Sequence, residues 1–261
     1  MLHYDHYYTM GKTHVICEDF AIQADKPIPF IVLSDGCSSS YQTHIGARIL
    51  TLTTKHIIEN TDDWPLNYTH FGQRLIEQAW NVAHQMQLSS SVLDATVMLA
   101  FLYQDTILVY VYGDGCLLFK DHQDNLGTIE VVFTHNAPYY LTYWYDQERQ
   151  QEYAKYEPTP LILIDSLQGQ SQPKSFNEEL VFCFPLEKFK VVAIASDGAT
   201  YCVDTRYHRK LSLDEIATQL LSFPNLTQNF VKLHLQDTLA QYAQRGIYPA
   251  DDLSIGVFVQ Q

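Results

Sequence analysis

Three stretches of the chain share one layout, in which an apolar run leads through a small residue into Asp-Gly: PFIVLSDG at residues 29–36, VYVYGDG at 109–115 and VVAIASDG at 191–198. Each pattern predicts a buried β-strand that ends at a carboxylate. A fold that directs several such strands the same way gathers their carboxylates at one edge. Carboxylates held close together repel each other unless they share protons or bind a cation, and Mg²⁺ is a hard ion that takes oxygen ligands.

Asp-Gly is also a common turn dipeptide, because Gly tolerates positive φ and Asp hydrogen-bonds its own backbone. A single strand followed by Asp-Gly is therefore compatible with a simple turn. Two further acidic pairs weaken that alternative, since Glu18-Asp19 stands near the start of the chain and Asp251-Asp252 precedes an apolar strand near its end. Acidic motifs spread in this way from end to end indicate one shared site.

The order of these motifs resembles the metal-dependent serine/threonine protein phosphatases, the type 2C or PPM family, in a divergent bacterial form. The motifs that carry the resemblance are Glu18-Asp19, Ser34-Asp35-Gly36, Asp94-Ala95-Thr96, Gly113-Asp114, Ser196-Asp197-Gly198 and Asp251-Asp252-Leu253-Ser254. They cover nearly the whole chain. The resemblance implies a single type 2C phosphatase-like domain over residues 1–261 with an α+β fold, a four-layer αββα sandwich in which helix pairs flank two antiparallel β-sheets.

The resemblance also implies the ligands of two Mg²⁺ or Mn²⁺ ions. Asp35 would bridge both ions, and the carbonyl of Gly36 would bind the first. Asp197 and Asp251 would hold the second. A water that bridges the two ions would then hydrolyse phosphoserine or phosphothreonine in a phosphorylated protein, so no protein nucleophile is required.

Three more acidic residues would act around these ions. Glu18 and Asp19 would fix the surrounding waters. Asp114, with Asp197, resembles the pair that binds a third, weaker ion in bacterial members, and it would help to protonate the leaving serine oxygen. The alternative for Asp114 is that it only caps a turn, since the two residues after it depart from the family's motif.

Residue 14 is another departure from the family. An Arg that grips the substrate phosphate usually stands there, whereas this chain has His14, and a neutral imidazole cannot replace a bidentate guanidinium. We predict that His14 takes the phosphate-binding position and acts as a cation only when protonated. Two function classes therefore stay open: an active phosphatase, and a catalytically weak phosphatase-like binding or regulatory module.

Residues 121–179 match the family least and form a divergent, flap-like region. The family's Thr-x-Asp-His passage is replaced by Phe-Thr-His-Asn-Ala at 133–137, and aromatic residues cluster at 138–145. Aromatic side chains contribute much of the buried area in cores, so packing is one interpretation of the cluster. A substrate-recognition flap beside the site is the other.

The composition restricts the classes of partner and the cellular compartment that are expected for this protein. A net charge of −14 disfavours nucleic acid, which is bound through Lys and Arg, and no apolar run is long enough to span a bilayer. The start lacks the regions of a signal peptide, and five scattered cysteines support neither a disulfide framework nor a zinc ribbon, so a cytoplasmic protein is expected. Cys17, Cys37 and Cys116 lie beside acidic motifs, but a reactive thiolate needs a cationic loop, so packed thiols are expected.

Spacing and caps also predict individual elements. Two helices are predicted from apolar spacing, the first from Ile45, Ile49, Leu52 and His56 and the second from Leu75, Ala79, Val82 and Met86. Residues 96–103 and 106–112 are predicted as paired strands. Ser212 and Glu215 have the spacing of a capping box, and a last helix over 229–245 is ended by Gly246.

Overall fold

A computed structural model of the chain describes residues 1–62, 64–156, 161–167 and 169–261. Its strands are β1 (Leu2–Thr9), β2 (Phe20–Ala24), β3 (Phe30–Ser34), β4 (Val97–Tyr103), β5 (Thr106–Tyr112), β6 (Gly115–Asp121), β7 (Leu126–Phe133), β8 (Leu161–Asp165), β9 (Gln170–Lys174), β10 (Val181–Pro185), β11 (Phe189–Ala195), β12 (Cys202–Asp204), β13 (Arg209–Lys210), β14 (Ile247–Pro249) and β15 (Leu253–Gln260). Its helices are α1 (Thr43–Glu59), α2 (Tyr68–Gln85), α3 (Thr142–Tyr145), α4 (Gln147–Tyr156), α5 (Leu213–Leu220) and α6 (Phe230–Gln244). The hairpin predicted at residues 96–112 is confirmed as β4 and β5.

Two antiparallel sheets form the centre of the fold. The first has the strand order β1-β15-β11-β6-β7-β8-β9, and the second has the order β10-β5-β4-β3-β2. A third sheet is short, with the order β13-β12-β14. Neighbours in sequence are mostly neighbours in the sheets, as is usual for antiparallel topologies.

β3 illustrates how the layers arise from alternation along a strand. All five of its residues are buried. Phe30 and Val32 pack in the cluster that contains the inner faces of α1 and α2, whereas Ile31 and Leu33 pack in the cluster between the two sheets. Successive side chains of a strand point to opposite faces, so a strand with both faces covered is a continuous apolar run.

A second helix pair, α5 and α6, packs on the outer face of the seven-stranded sheet. Ile216 of α5 and Leu235 of α6 share a buried cluster with Val257 of β15. Because α1 and α2 cover the other sheet, the layers run helix pair, sheet, sheet, helix pair. The αββα sandwich predicted from the sequence is confirmed.

The strand directions carry the predicted acidic residues to one end of the sandwich. β4 is antiparallel to both β3 and β5, so β3 and β5 run the same way and end at the same edge. In the other sheet, the end of β11 lies beside the starts of β15 and β6. The chain crosses from β5 in one sheet to β6 in the other through residues 113 and 114, so both sheets contribute to this end.

The predicted faces of α1 and α2 are wrong in part. Leu52 is 54% exposed and Met86 is 53% exposed, and together with Ile45 and Val82 they line a shallow surface groove between the helices. The predicted Ile49, Leu75 and Ala79 are buried as expected. The rest of the buried face was not predicted, and it includes Ala47, Leu50, Ile57 and Ile58 in α1 and Phe71 and Ile76 in α2. Both helices carry apolar residues on more than one side, so spacing alone did not identify the buried stripe.

The caps of the last helices are confirmed. Ser212 Oγ accepts a hydrogen bond from the backbone N–H of Glu215, and the Glu215 carboxylate accepts one from the backbone N–H of Ser212. After α6 ends, Gly246 has φ +75°, a left-handed conformation that favours glycine. No helix in the described part of the chain is long and apolar enough to cross a membrane.

The divergent region 121–179 contains strands and helices, and its residues 157–160 and 168 lie outside the described residues. Strands β7, β8 and β9 extend the seven-stranded sheet. In the aromatic cluster, Tyr139 and Tyr140 are buried, whereas Tyr145 is exposed. Tyr139 also packs against the rings of Tyr153 and Phe176. Packing therefore accounts for much of the cluster.

Candidate active site

A cavity of about 300 Å³ opens at the end of the sandwich where the acidic motifs meet. One wall carries the carboxylates of Asp35, Asp114, Asp197 and Asp251. Two further walls are formed by the loop at residues 37–39 and by the segment that carries His135, Asn136, Pro138 and Tyr140. The cavity therefore joins four acidic residues that are as far as 216 positions apart in the sequence, from Asp35 to Asp251.

Asp35 follows directly on β3 and is held by the start of β4. The backbone N–H of Thr96 donates to the Asp35 carbonyl at 2.8 Å, and the Thr96 hydroxyl accepts from the Asp35 N–H at 3.3 Å. The hydroxyl of Ser34 donates to the Thr96 carbonyl at 2.6 Å. These three hydrogen bonds fix the backbone at Asp35, whose carboxylate lines the cavity.

The three Asp-Gly pairs need glycine for different reasons. A Cβ on Gly36 would lie 2.9 Å from the side chain of Thr43, and one on Gly198 would lie 1.7 Å from the carbonyl oxygen of Asp252. Only Gly115 has the positive φ, +137°, that the turn interpretation requires. Close backbone packing, rather than a simple turn, therefore explains glycine after Asp35 and Asp197.

The carboxylates of buried Asp19 and of half-buried Asp35 and Asp197 interact with each other. The carboxyl group of Asp35 lies beside those of Asp19 and Asp197, and carboxylates this close need a proton or a cation between their oxygens. Burial, together with the charges of neighbouring carboxylates, raises the pKa of Asp35 well above its ordinary value. Burial likewise raises the pKa of Asp197 and raises the pKa of Asp19 to about 7. Bringing these groups together costs free energy unless the negative charge is compensated.

Asp114 completes the acidic wall at the crossing between the sheets. Its side chain is buried, and burial together with the charge of Asp197 raises the pKa of Asp114 well above its ordinary value. A residue that only caps a surface turn would be solvated. The position of Asp114 in the cavity makes the predicted role beside Asp197 sterically available.

Glu18 and Asp19 stand behind the cavity wall. The Ser196 hydroxyl donates to Oδ2 of Asp19 at 2.8 Å, whereas Oδ1 of Asp19 is buried without a hydrogen-bond donor among the described atoms. The Thr43 hydroxyl donates to Glu18 at 2.8 Å. Asp19 is thus the more deeply placed of the pair, directly against Asp35.

His14 lies between the last two acidic residues. Its Nε2 is 3.2 Å from Oδ1 of Asp251, and its Nδ1 is 3.1 Å from Oδ2 of Asp252. Burial lowers the pKa of His14, but the carboxylates of Asp252 and Asp251 outweigh burial, so the pKa of His14 is raised. This contact with Asp251 is the main feature that the sequence did not suggest for His14.

Asp252 organises the segment that carries His14. It is buried, and its carboxylate accepts hydrogen bonds from the backbone N–H of Gly11 at 2.7 Å and of Glu18 at 2.6 Å. The two aspartates of the closing motif therefore have different roles. Asp251 faces the cavity, and Asp252 ties the N-terminal loop to β15.

Sequence reasoning offered the segment at 133–137 as part of a possible flap beside the site, but it did not assign His135 or Asn136 to the cavity. His135 and Asn136 line the cavity with φ of +60° and +53°, and a left-handed conformation at a non-glycine residue costs about 1–3 kcal/mol. Strain of this kind persists where the surroundings fix it and is common at functional sites. The replaced family passage at 133–137 was the one signal in the sequence that marked this segment.

The sequence matches the protein phosphatase 2C family over residues 12–240. The chain belongs to the protein phosphatase 2C family. Of the two function classes left open above, family membership supports the active one, and the chain is a metal-dependent serine/threonine protein phosphatase.

Solved structures of this type share the fold. The serine/threonine phosphatase of S. agalactiae is 18% identical, with a TM-score of 0.62 and 100% coverage of both chains. Stp1 from Staphylococcus aureus is 13% identical, with a TM-score of 0.55 and coverage of 100% of this chain and 96% of that chain. PstP/Ppp of Mycobacterium tuberculosis is 13% identical, with a TM-score of 0.56 and coverage of 100% and 99%. Among curated protein sequences, none matches this chain.

The donors in the cavity of this type 2C phosphatase fit hard divalent cations. They are carboxylate oxygens, which suit Mg²⁺ and Mn²⁺, and the unpaired Oδ1 of Asp19 and the raised pKa of Asp35 both indicate negative charge that lacks compensation. As the side chains stand, no three His, Cys, Asp or Glu residues of the described ranges form a ready-made metal cluster. Holding a shared ion would therefore require the carboxylates to turn toward it.

Cys17 and Cys116, beside the acidic motifs, do not have the chemistry of a nucleophile. Burial and the charges of Asp252 and Asp19 raise the pKa of Cys17 to about 12, and burial raises the pKa of Cys116 well above its ordinary value. Cys37 lines the cavity, with its Sγ 3.0 Å from the Ser39 hydroxyl. A thiol that stays protonated at neutral pH is a poor nucleophile, so water is the better candidate in this phosphatase.

Proposed function

We propose that the chain hydrolyses phosphoserine and phosphothreonine in proteins with two Mg²⁺ or Mn²⁺ ions held in the acidic cavity. Asp35 and the Gly36 carbonyl would hold the first ion, and Asp35, Asp197 and Asp251 the second. The observation that carries the proposal is the convergence of these carboxylates, from both sheets, on one cavity. Asp114 and Asp197 would hold a third, weaker ion.

When bound, the ions supply an acidified water for attack on phosphorus and neutralise charge on the phosphoryl oxygens. The residues of the chain hold the metal ligands and the surrounding waters in position. Thr96 and Ser34 fix the backbone of Asp35 through their hydrogen bonds. Asp19, held by Ser196, and Glu18, held by Thr43, would orient the waters around the ions.

Asp114 and His14 are proposed to act on the substrate itself. Asp114 would orient a water that protonates the leaving serine oxygen. His14, protonated between Asp251 and Asp252, would supply the positive charge near the phosphate that the family obtains from Arg. If so, His14→Arg lowers KM for a phosphopeptide, and by more at pH 8 than at pH 6, because the imidazolium loses its proton as pH rises through its raised pKa whereas the guanidinium keeps its charge.

We further infer that the whole chain is one phosphatase domain, and that the helical part of residues 121–179 serves as its substrate-facing flap. The wall residues His135, Asn136 and Tyr140 support this role for the segment. The substrate would be a phosphorylated protein rather than nucleic acid or a membrane component, in keeping with the net charge of −14. Five cysteines outside disulfides are in keeping with the reducing cytoplasm.

The test is metal-dependent hydrolysis by the purified chain. A phosphopeptide and p-nitrophenyl phosphate are assayed with Mn²⁺, with Mg²⁺ and with a chelator. We expect turnover with the ions, loss with the chelator and recovery when Mn²⁺ is returned. Turnover that survives chelation, or no turnover of either substrate with Mn²⁺, would contradict the proposed function.

A further inference from the structure

We propose that Asp94 and Arg149 form a positioning pair that clamps the substrate-facing walls of the cavity together and so sets how tightly the enzyme holds the protein part of its substrate. The proposal rests on the phosphatase function proposed above and adds a determinant of substrate affinity to it. Both residues lie behind the described lining of the cavity rather than in it.

Asp94 is a buried carboxylate held by an arginine fork. Its side chain is only 4% exposed. Nη1 of Arg149 donates to Oδ1 at 2.9 Å, and Nη2 donates to Oδ2 at 2.9 Å. Two parallel hydrogen bonds fix the orientation of both groups as well as their distance. The guanidinium also lies over the ring of Tyr143, 4.8 Å from its centroid, which leaves it little freedom.

Asp94 also holds the first wall, the loop that follows the Asp35-Gly36 pair. The hydroxyl of Ser40 donates to Oδ2 of Asp94 at 2.8 Å. The backbone N–H of Cys37 donates to the carbonyl of Asp94 at 2.9 Å. Both ends of the loop are thus tied to one residue, and residues 37–39 between them line the cavity.

The same carboxylate holds the second wall. The hydroxyl of Thr142, in α3, donates to Oδ1 of Asp94 at 3.0 Å, and Arg149 belongs to α4. These two helices directly follow the segment at 134–140 that supplies the strained residues of the cavity. Asp94 is therefore the point at which the two walls are joined, across 54 and 55 positions of sequence.

The backbone of Asp94 lies close to the Asp35-Gly36 pair, whereas Arg149 is placed on the far side of the Asp94 carboxylate. Arg149 contacts Asp94, Asp146 and Tyr143 rather than the carboxylates proposed to bind metal. Loss of the fork should loosen the walls and leave the metal ligands in place. A misplacement of about 1 Å can cost on the order of a hundredfold in rate, and a protein substrate, which extends along the walls, should lose more than a small aryl phosphate.

The experiment compares Arg149→Gln with Arg149→Lys and with a matched control, Arg209→Gln. Arg209 makes the same bidentate contact, with Glu215 at 2.9 and 2.9 Å, at the start of α5 and on the surface. KM and kcat are measured with Mn²⁺ on a phosphopeptide and on p-nitrophenyl phosphate, and amide hydrogen exchange is followed at residues 37–40 and 134–149. Ser40→Ala, which removes a single hydrogen bond to Asp94, serves as a milder variant in case Arg149→Gln fails to fold.

We expect Arg149→Gln to raise KM for the phosphopeptide about tenfold, with a smaller change for p-nitrophenyl phosphate and faster exchange in both segments. KM and exchange in Arg149→Lys should lie between those of the wild type and Arg149→Gln, since this variant keeps the charge and loses the fork. Ser40→Ala should change both quantities in the same direction by less. Arg209→Gln should match the wild type in both. Equal losses on both substrates, or faster exchange at 134–149 alone, would overturn the clamp. If the wild type fails to turn over with Mn²⁺, the proposed function fails instead, and the exchange at residues 37–40 still decides whether the two walls are joined.

Discussion

Asp94 is buried behind one wall of the cavity and Asp35 is half-buried in another, and their neighbours are opposite in character. Asp94 meets an arginine fork and the hydroxyls of Ser40 and Thr142. Asp35 meets the carboxyl groups of other aspartates. The first arrangement is satisfied within the protein and stabilises local structure, whereas the second is destabilising until a cation compensates it. A buried carboxylate therefore indicates a functional site when its neighbours are acidic, and a structural role when they are donors.

The largest expected effect comes from removing charge at Asp35. Asp35→Asn should lower kcat on the phosphopeptide by at least about a thousandfold, because metal ions contribute several kcal/mol of transition-state stabilisation. The same change should raise the melting temperature of the chelated protein, since it removes one of the mutually repelling acids. Steady-state kinetics and thermal melts measure both quantities.

Asp237 provides the control for this substitution, because it is an exposed aspartate of α6. Asp237→Asn should change neither kcat nor the melting temperature noticeably. If Asp35→Asn keeps its activity, or lowers the melting temperature in chelator, Asp35 is a structural residue like Asp94 and the contrast between the two sides of the cavity is lost.

A smaller effect is expected at Asp114. Calorimetry should show that Asp114→Ala leaves the two tightly held metals bound. Its kcat on a phosphopeptide should fall at least about tenfold, because general acid–base catalysis typically contributes about 10²–10⁴-fold to the rate. p-Nitrophenyl phosphate should suffer less because its leaving group needs no proton. Asp114→Asn separates the alternatives, since Asn caps turns as well as Asp does: activity retained in Asp114→Asn would assign the residue to the turn.

The acidic wall should also make the metal-free protein sensitive to pH. The pKa of Asp19 is raised to about 7 in the fold, so the folded state holds this proton more tightly than the unfolded state does. The resulting stability is present below the ordinary Asp pKa and is lost as pH rises through about 7. In chelator the melting temperature should therefore fall by several degrees from pH 5 to pH 8, given about 2–4 °C per kcal/mol for chains of this size.

Asp19→Asn should flatten this pH dependence, and Mn²⁺ should reduce it in the wild type by binding the folded state. Asp237→Asn should keep the slope of the wild type. A melting temperature that rises between pH 5 and pH 8 in chelator would mean that Asp19 is ionised in the metal-free fold, and that the acidic wall is not under electrostatic strain.

The smallest effect is expected at Cys37, the thiol on the substrate side of the cavity. Cys37→Ser should keep kcat within about twofold, the range of substitutions that remove no essential contact. The exposed Cys183 provides the control in Cys183→Ser. Loss of turnover in Cys37→Ser with the metals still bound would replace water by a thiol as the nucleophile.

The acidic wall was predictable from the sequence, whereas the wall at residues 135–140 was anticipated only as one of two interpretations of the divergent region. Continuous apolar runs such as residues 191–195 mark strands covered on both faces, and each of the three runs leads to an aspartate of the cavity. His135 and Asn136 lie instead in an irregular segment whose left-handed backbone has no periodic signal. The pairing of Asp94 with Arg149 links polar residues 55 positions apart, and nothing in spacing or composition identifies such a partner.

Sequence patterns were similarly insufficient to predict the buried faces of the helices and the contacts of the N-terminal loop. Apolar spacing predicted both helices correctly, but it mixed buried residues such as Leu75 with outer-face residues such as Leu52 and Met86. The hydrogen bonds that Asp252 accepts from Gly11 and Glu18 depend on how the two ends of the chain meet. Local patterns predict elements, whereas contacts between distant polar groups become visible only in the folded chain.

The most direct test of the central claim is a crystal of the protein grown or soaked with Mn²⁺, with anomalous diffraction data collected. We expect two anomalous peaks in the cavity, both within coordination distance of Asp35, with Asp197 and Asp251 among the other ligands at metal–oxygen distances near about 2.1 Å. Absence of peaks at saturating Mn²⁺, or peaks that Asp35 does not contact, would contradict the assignment of the acidic wall as the metal site.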